Sequence, residues 1–102
     1  MDIFISLPMK YREAEEIKAR QEQIRQYVQM LNPGEKVKLL NNYFPLDIAS
    51  KNESLHKLGM ALEMMSDADL VVFAPNWMAA RGCKIEHEAA TAYGLKILDL
   101  DD

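Results

Sequence analysis

Cysteine is almost absent from this sequence: Cys83 is the only one among 102 residues, and there are only two histidines. A single cysteine excludes an internal disulfide and a zinc site with four cysteine ligands. Two histidines add little to such a site. We therefore expect neither a metal nor an organic cofactor.

Long apolar runs and an excess of positive charge are also missing. No apolar run approaches the ~20 residues of a membrane-spanning helix, and the net charge is -4. An acidic balance favours neither a nucleic-acid backbone nor an anionic membrane. The N-terminus leads directly into a strand-like segment, so we expect no signal peptide. These absences predict a cytoplasmic protein that binds neither nucleic acid nor membrane.

The composition is that of an ordinary globular protein, with 49% hydrophobic and 27% charged residues. A chain of this length suits one domain, which we expect to span residues 1–102.

Apolar patterns of strand and helix type alternate along the chain. Strands are predicted at Asp2–Leu7, Lys36–Leu40, Leu70–Ala74 and Lys96–Leu100. Helices are predicted from about Met9 or Tyr11 to Leu31, from a capping box at Ser50–Glu53 to about Ser66, and up to Tyr93 before Gly94. Residues 41–49 are predicted to form a loop. The order predicts an α/β fold, a small three-layer sandwich of Rossmann or flavodoxin type with a parallel sheet of about four strands.

Methionine is abundant, with seven residues, three of which are Met60, Met64 and Met65. Such side chains provide adaptable apolar surface, or they fill an irregular core. Both interpretations stay open. Because so small a sheet leaves helix faces uncovered, we predict a homo-oligomer, a dimer or higher, assembled through a helix face.

The segment from Ser66 to Glu88 has a strand–loop–helix pattern. Its apolar run suits a strand that is buried on both faces, and Pro75 ends that strand. Ligands of open α/β sheets bind outside the carboxyl ends of the strands. The loop that follows, with Asn76, Trp77 and Arg81, is therefore the predicted site.

Several residues here have suitable chemistry. A carboxylate near the start of the next helix, Glu86 or Glu88, is favoured in its ionised form and can act as a nucleophile in glycosyl transfer. Trp77 offers a flat face for a nucleobase. Arg81 with Gly82 at a helix N-terminus suits a phosphate. Met9 follows Ser6-Leu7-Pro8 at the end of the first strand and lines the same pocket in this prediction.

Each of these residues also has a structural interpretation. A glutamate near a helix start complements the helix dipole, and a loop tryptophan anchors a core or an interface. Arg81 is explained equally by solvation or by an acidic partner. Asp69, before the central strand, caps or holds a loop, and Cys83 is a small packing residue.

Taken together, these motifs resemble the nucleoside 2-deoxyribosyltransferase superfamily, in particular its short DUF4406-type branch. The resemblance covers most of the chain and is strongest in the stretch DADLVVFAPNWMAARGCKIEHEAATAYGLKI, which begins at Asp67. The segment ISLPM at residues 5–9 resembles the IAGPM of that branch. The resemblance implies a nucleoside- or nucleotide-binding fold whose active members cleave N-glycosidic bonds through a glycosyl-glutamate.

The resemblance also implies roles for individual residues. Gly82, Glu86 and Gly94 reproduce the spacing around the family's nucleophile, which therefore maps to Glu86 and not to Glu88. Asp69 matches an aspartate that orients or protonates. The residues expected to contact substrate are Phe4, Ser6, Pro8, Met9, Asn76, Trp77, Arg81 and Gly82. Trp77 would stack the base, and Arg81 would meet a phosphate or Glu86 itself.

The sequence departs from active members of that superfamily at three positions. Phe4 stands where they carry a tyrosine whose hydroxyl holds the catalytic carboxylate. Leu7 replaces a glycine, and Ala80 replaces a polar residue. Two alternatives to an enzyme therefore stay open: a non-catalytic nucleotide-binding module on the same fold, and a ligand-free oligomeric scaffold.

Overall fold

The computed structural model describes residues 1–10, 12–40 and 50–100. Its elements are β1 (Asp2–Ser6), α1 (Ala14–Leu31), β2 (Lys38–Leu39), α2 (Glu53–Met65), β3 (Leu70–Phe73), a 3-10 turn (Trp77–Ala79), α3 (Arg81–Ala92) and β4 (Ile97–Asp99). The predicted loop at residues 41–49, and Tyr11 as a helix start, lie outside the described residues. Among the described helices, none has the length and apolar character needed to cross a membrane.

The four strands form one parallel sheet in the order β2-β1-β3-β4. The α/β fold with a four-stranded parallel sheet is therefore confirmed. The chain moves outward from β1 to β2 and then returns to place β3 on the other side of β1. This reversal makes the carboxyl ends of β1 and β3 the switch point, where open α/β sheets bind ligands.

Both faces of the sheet are covered, because successive side chains of a strand point to opposite faces. Odd-numbered residues of β1, such as Ile3 and Ile5, pack with Ile17 and Ile24 of α1. On the opposite face, the buried cluster consists of Phe4, Ala61, Met65, Val71, Phe73 and Ala90. The helices α2 and α3 thus cover that second face and complete three layers.

The methionines near the end of α2 belong to this second layer. Met65 is buried, and Met64 packs against the same cluster. These two side chains fill the core, whereas Met30 and Met78 are exposed.

Helix α2 begins two residues later than its predicted capping box. Asn52 is the N-cap, and its side chain accepts a hydrogen bond from the Leu55 N–H at 3.0 Å. Glu53 is therefore the first helical residue and cannot reach back as the third one does in a capping box. The predicted Ser50–Glu53 box is wrong for this reason.

Candidate active site

Glu86 projects from α3 toward the sheet. After β3 ends, Asn76 adopts a left-handed conformation with φ 68°, and one 3-10 turn leads into α3 at Arg81. This short connection places the second turn of α3 beside the carboxyl end of β1. The side chain of Glu86 is buried there, with 8% of the residue exposed.

Ser6, the last residue of β1, holds the Glu86 carboxylate. Its Oγ donates a hydrogen bond to Glu86 Oε1 at 2.7 Å, and Ser6 itself is 1% exposed. The resemblance implies a tyrosine hydroxyl at position 4 that holds the carboxylate, but this chain has Phe4 there. The hydroxyl that contacts Glu86 belongs instead to Ser6, two residues later on the same face of β1. Phe4 is fully buried in the core cluster of α2 and α3, so the expectation that it contacts substrate is wrong.

Burial raises the pKa of Glu86 to about 7, and the hydrogen bond from Ser6 only partly opposes this. With this pKa only about half of the carboxyl groups are ionised at neutral pH, so the helix dipole does not keep the group fully charged as expected. Glu86 is the sixth residue of α3, and the dipole acts mainly within the first turn. Desolvation, which disfavours the charged form, therefore dominates.

Cys83 lies in the same buried corner. Burial raises the pKa of its thiol to about 11; a hydrogen bond with Ser6 lowers it, and the Glu86 charge raises it further. A thiol with so high a pKa stays neutral and is a poor nucleophile. Cys83 therefore packs beside the carboxylate, in agreement with its structural interpretation.

A cleft of about 900 Å³ opens above Glu86. Its walls come from the segments that follow β1 and β3 and from the first half of α2. Six residues of the predicted site line it: Pro8, Met9, Asn76, Arg81, Gly82 and Glu86. Leu7 and Ala80, two positions that depart from the superfamily pattern, also lie on its wall.

Positive side chains surround the cleft. Lys10 and Arg12 follow β1, Lys57 lies on α2, and Arg81 begins α3. Among the described residues, Glu86 is the only acidic residue in the lining. A chain with a net charge of -4 thus gathers four cations around one carboxylate, which favours an anionic ligand.

Sequence reasoning found only Arg81 among these four cations. Lys57 is one of several charges on α2, and only the packing of that helix over the switch point brings it to the cleft. Lys10 and Arg12 were assigned to a helix start, whereas α1 begins at Ala14. The sequence did offer one signal for Lys10 and Arg12: both closely follow β1, and β1 ends at the switch point.

Arg81 and Glu86 share the cleft but do not form an ion pair. In the described part of the chain, Arg25 forms an ion pair with Glu22, and the His87 imidazole contacts the Asp99 carboxylate. Arg81 is exposed at the rim, whereas Glu86 is buried below it. The expected contact between Arg81 and Glu86 is therefore absent, and the expected contact with a phosphate stays a prediction beside simple solvation.

Trp77 does not line the cleft. Its indole ring stacks on the His87 imidazole, with centroids 3.8 Å apart and planes 6° from parallel, and also packs against Phe73. The expectation that Trp77 stacks a nucleobase in this cleft is wrong, because the ring is turned toward α3 and the core. The alternative interpretation, a core anchor, is the one that the packing supports.

Asp69 lies at the opposite edge of the sheet from Glu86. It precedes β3 at the amino end, where its Oδ2 accepts a hydrogen bond from the Asp2 backbone N–H at 2.7 Å. A strand of four residues, with a rise of about 3.3 Å per residue, separates it from the cleft. The expected catalytic role of Asp69 is therefore wrong, and the residue holds the start of β1.

No group of three or more His, Cys, Asp or Glu side chains within residues 1–10, 12–40 and 50–100 could hold a metal ion.

The family described as "Domain of unknown function (DUF4406)" matches residues 9–99 of the chain. No curated protein and no solved structure matches.

Proposed function

We propose that this chain, which belongs to the DUF4406 family, breaks N-glycosidic bonds of nucleotides, with Glu86 as the nucleophile. The proposal is based on the cleft, since the family is described as a domain of unknown function. The proposal includes the link to the nucleoside 2-deoxyribosyltransferase superfamily. One observation carries it: a buried, hydrogen-bonded carboxylate forms the floor of a cation-lined cleft at the switch point of the sheet.

The two oxygens of Glu86 have different surroundings. Oε1 accepts the Ser6 hydrogen bond, and this is the only bond to the Glu86 side chain among the described residues. No buried side-chain oxygen in that part of the structure lacks a partner, so Oε2 must open to the cleft. Ser6 therefore fixes the carboxylate, and Oε2 is the atom that can attack.

In the proposed reaction, Oε2 attacks the anomeric carbon of the sugar. The C1′–N bond breaks as the C1′–O bond forms, and the bond's electron pair leaves with the base, which takes a proton from water. Water or a second base then attacks the glycosyl ester and releases Glu86. Hydrolysis and transfer differ only in this acceptor.

The cations support the proposal of a phosphorylated substrate. Guanidinium groups bind phosphate oxygens through paired hydrogen bonds, and ammonium groups bind them as point charges. Arg12 and Arg81 supply the first kind, and Lys10 and Lys57 supply the second. We therefore propose a nucleoside 5′-phosphate as the substrate rather than a free nucleoside.

The test is to incubate the protein with deoxynucleosides and with deoxynucleoside 5′-monophosphates and to measure free base by chromatography. We expect base release from the monophosphates. Glu86→Gln should reduce the rate by at least ~10²-fold, because a neutral amide cannot form the ester. Since only the ionised form attacks, kcat/KM should rise with pH through about 7.

Glu88→Gln is the matched control. Glu88 lies two residues further along the same helix and outside the cleft lining, so its removal should leave the rate unchanged. Equal losses in both variants, or no release from any monophosphate by the unmodified protein, would contradict the proposed reaction.

A second candidate function is a non-catalytic nucleotide-binding module. It is favoured by the raised pKa of Glu86, about 7, because a large share of molecules then carry a neutral carboxyl at neutral pH. Ala80 on the cleft wall also offers no polar side chain to a sugar. Thermal stabilisation by a monophosphate without base release would favour this alternative.

A further inference from the structure

Three rings and one carboxylate form a cluster outside the cleft lining. The His87 imidazole lies between Trp77, stacked at 3.8 Å, and Phe73, whose centroid is 4.4 Å away in an edge-on arrangement. Phe73 and Trp77 are 5.6 Å apart. None of these residues lines the cleft. Stacked and edge-on geometries of this kind stabilise aromatic pairs beyond simple burial.

His87 also joins α3 to the sheet. Its Nε2 lies 3.0 Å and 3.2 Å from the two carboxylate oxygens of Asp99, the last residue of β4. Asp99 is in register with Phe73 of β3. The imidazole thus contacts residues of two adjacent strands, β3 and β4.

The loop between β3 and α3 is tied to its surroundings at its two ends, where Ala74 N–H donates to Ser6 O of β1 and Ala80 O accepts from Lys84 N–H of α3. The backbone hydrogen bonds of its turn are local: Trp77 N–H to Ala74 O, Ala79 N–H to Asn76 O, and Ala80 N–H to Trp77 O. The ring contacts of Trp77 therefore tie this loop to the sheet. The same loop brings Asn76, Ala80 and then Arg81 to the rim of the cleft.

We propose that His87 is a positioning residue: by holding the Trp77 ring against the sheet it fixes the loop after β3, and with that loop one wall of the cleft. The ordering of the loop follows from the ring contacts alone. Its effect on nucleotide affinity rests on the proposed function.

The first test is amide hydrogen exchange at Ala79 and Ala80 in the unliganded protein. His87→Ala should accelerate exchange on the order of tenfold at these two amides and leave the amides of β1 and β3 unchanged. His87→Phe should restore slow exchange, because it keeps a ring against Trp77 without the contact to Asp99. Tyr93→Ala, at the exposed end of α3, should have no effect.

Trp77 gives a second, optical measurement, because it is the only tryptophan. His87→Gln keeps a hydrogen-bonding group for Asp99 but removes the ring, so the indole should become more accessible to acrylamide quenching. His87→Phe should keep it protected. This pair of variants serves even where His87→Ala does not fold.

The third measurement is the binding of a deoxynucleoside monophosphate and the kinetics of base release from it. We expect His87→Gln to raise KM several-fold at nearly unchanged kcat, with the pH profile of Glu86 retained. Absence of binding in the unmodified protein would contradict the proposed function and leave the exchange result to decide this inference. Unchanged exchange at Ala79 and Ala80 in folded His87→Gln, or equal acceleration throughout the sheet, would overturn it.

Discussion

At the scale of single residues, Glu86 lowers the stability of the protein. Its pKa in the folded state, about 7, lies above the ordinary 4.5, so between these values the folded state binds more protons than the unfolded state. The free energy of unfolding therefore falls as the pH rises from about 4.5 to 7. A carboxylate kept at this cost is typical of a functional position.

Replacing this carboxyl by a neutral amide should stabilise the protein at high pH. We expect Glu86→Gln to raise the free energy of unfolding at pH 8 by up to roughly 3 kcal/mol, the equivalent of the pKa change. At pH 5, where the carboxyl is largely neutral, most of this gain should disappear. Urea unfolding at both pH values measures the difference, and Glu16→Gln, at an exposed position of α1, is the control. A gain of equal size at pH 5 would contradict the raised pKa of Glu86.

At the scale of elements, the start of α2 matters because this helix supplies Lys57 to the cleft. Its first turn is capped by the Asn52 side chain. Replacing a capping asparagine by alanine leaves a backbone N–H of the first turn without its partner.

We therefore expect Asn52→Ala to reduce stability by about 1 kcal/mol. Ser50→Ala should change it by no more than a few tenths, because Ser50 lies outside the cap. Thermal unfolding of the two variants distinguishes the observed cap from the predicted capping box. A larger loss in the serine variant would restore the predicted box.

Elements whose signal is local were predictable. The run from Leu70 to Ala74 is apolar throughout because β3, which ends at Phe73, is buried on both faces, and Pro75 closes the run. The choice of Glu86 over Glu88 came from the resemblance to the superfamily and not from a local signal, and the structure does bring Glu86 to the cleft.

What could not be predicted depends on packing between distant elements. A loop tryptophan has the same sequence signature whether it faces a ligand or, like Trp77, a histidine on the next helix. An aspartate before a strand does not reveal that, like Asp69, it will hold the start of another strand. The charge state of Glu86 depends on burial by β1, which lies 80 positions earlier.

At the scale of the whole molecule, the surface formed by α3 and the 3-10 turn before it carries exposed apolar side chains. Met78 is 68% exposed and Ile85 is 40% exposed. They border a groove of about 380 Å³ whose other lining residues include Lys84 and Glu88. An antiparallel pairing of two copies of α3 would place Lys84 opposite Glu88 of the second copy, with the apolar residues between them.

We expect the protein to form a homodimer through this face. Glu88→Lys should weaken the dimer by placing like charges opposite each other, and the double variant Lys84→Glu/Glu88→Lys should restore it. Light scattering during size-exclusion chromatography measures the mass. Lys18→Glu, on exposed α1, is the control. A monomeric mass for the unmodified protein at all concentrations would contradict this expectation.

The parallel register of the sheet has a consequence for biosynthesis. Ile3 of β1 pairs with Leu70 of β3, and Ser6 contacts a residue 80 positions later. The strand β1 therefore leaves the ribosome long before β3, its neighbour in the sheet, has been synthesised. Until then the nascent chain presents an apolar edge that is open to aggregation or to a chaperone. The hydrogen bond between Ser6 and Glu86 can form only after translation has passed position 86.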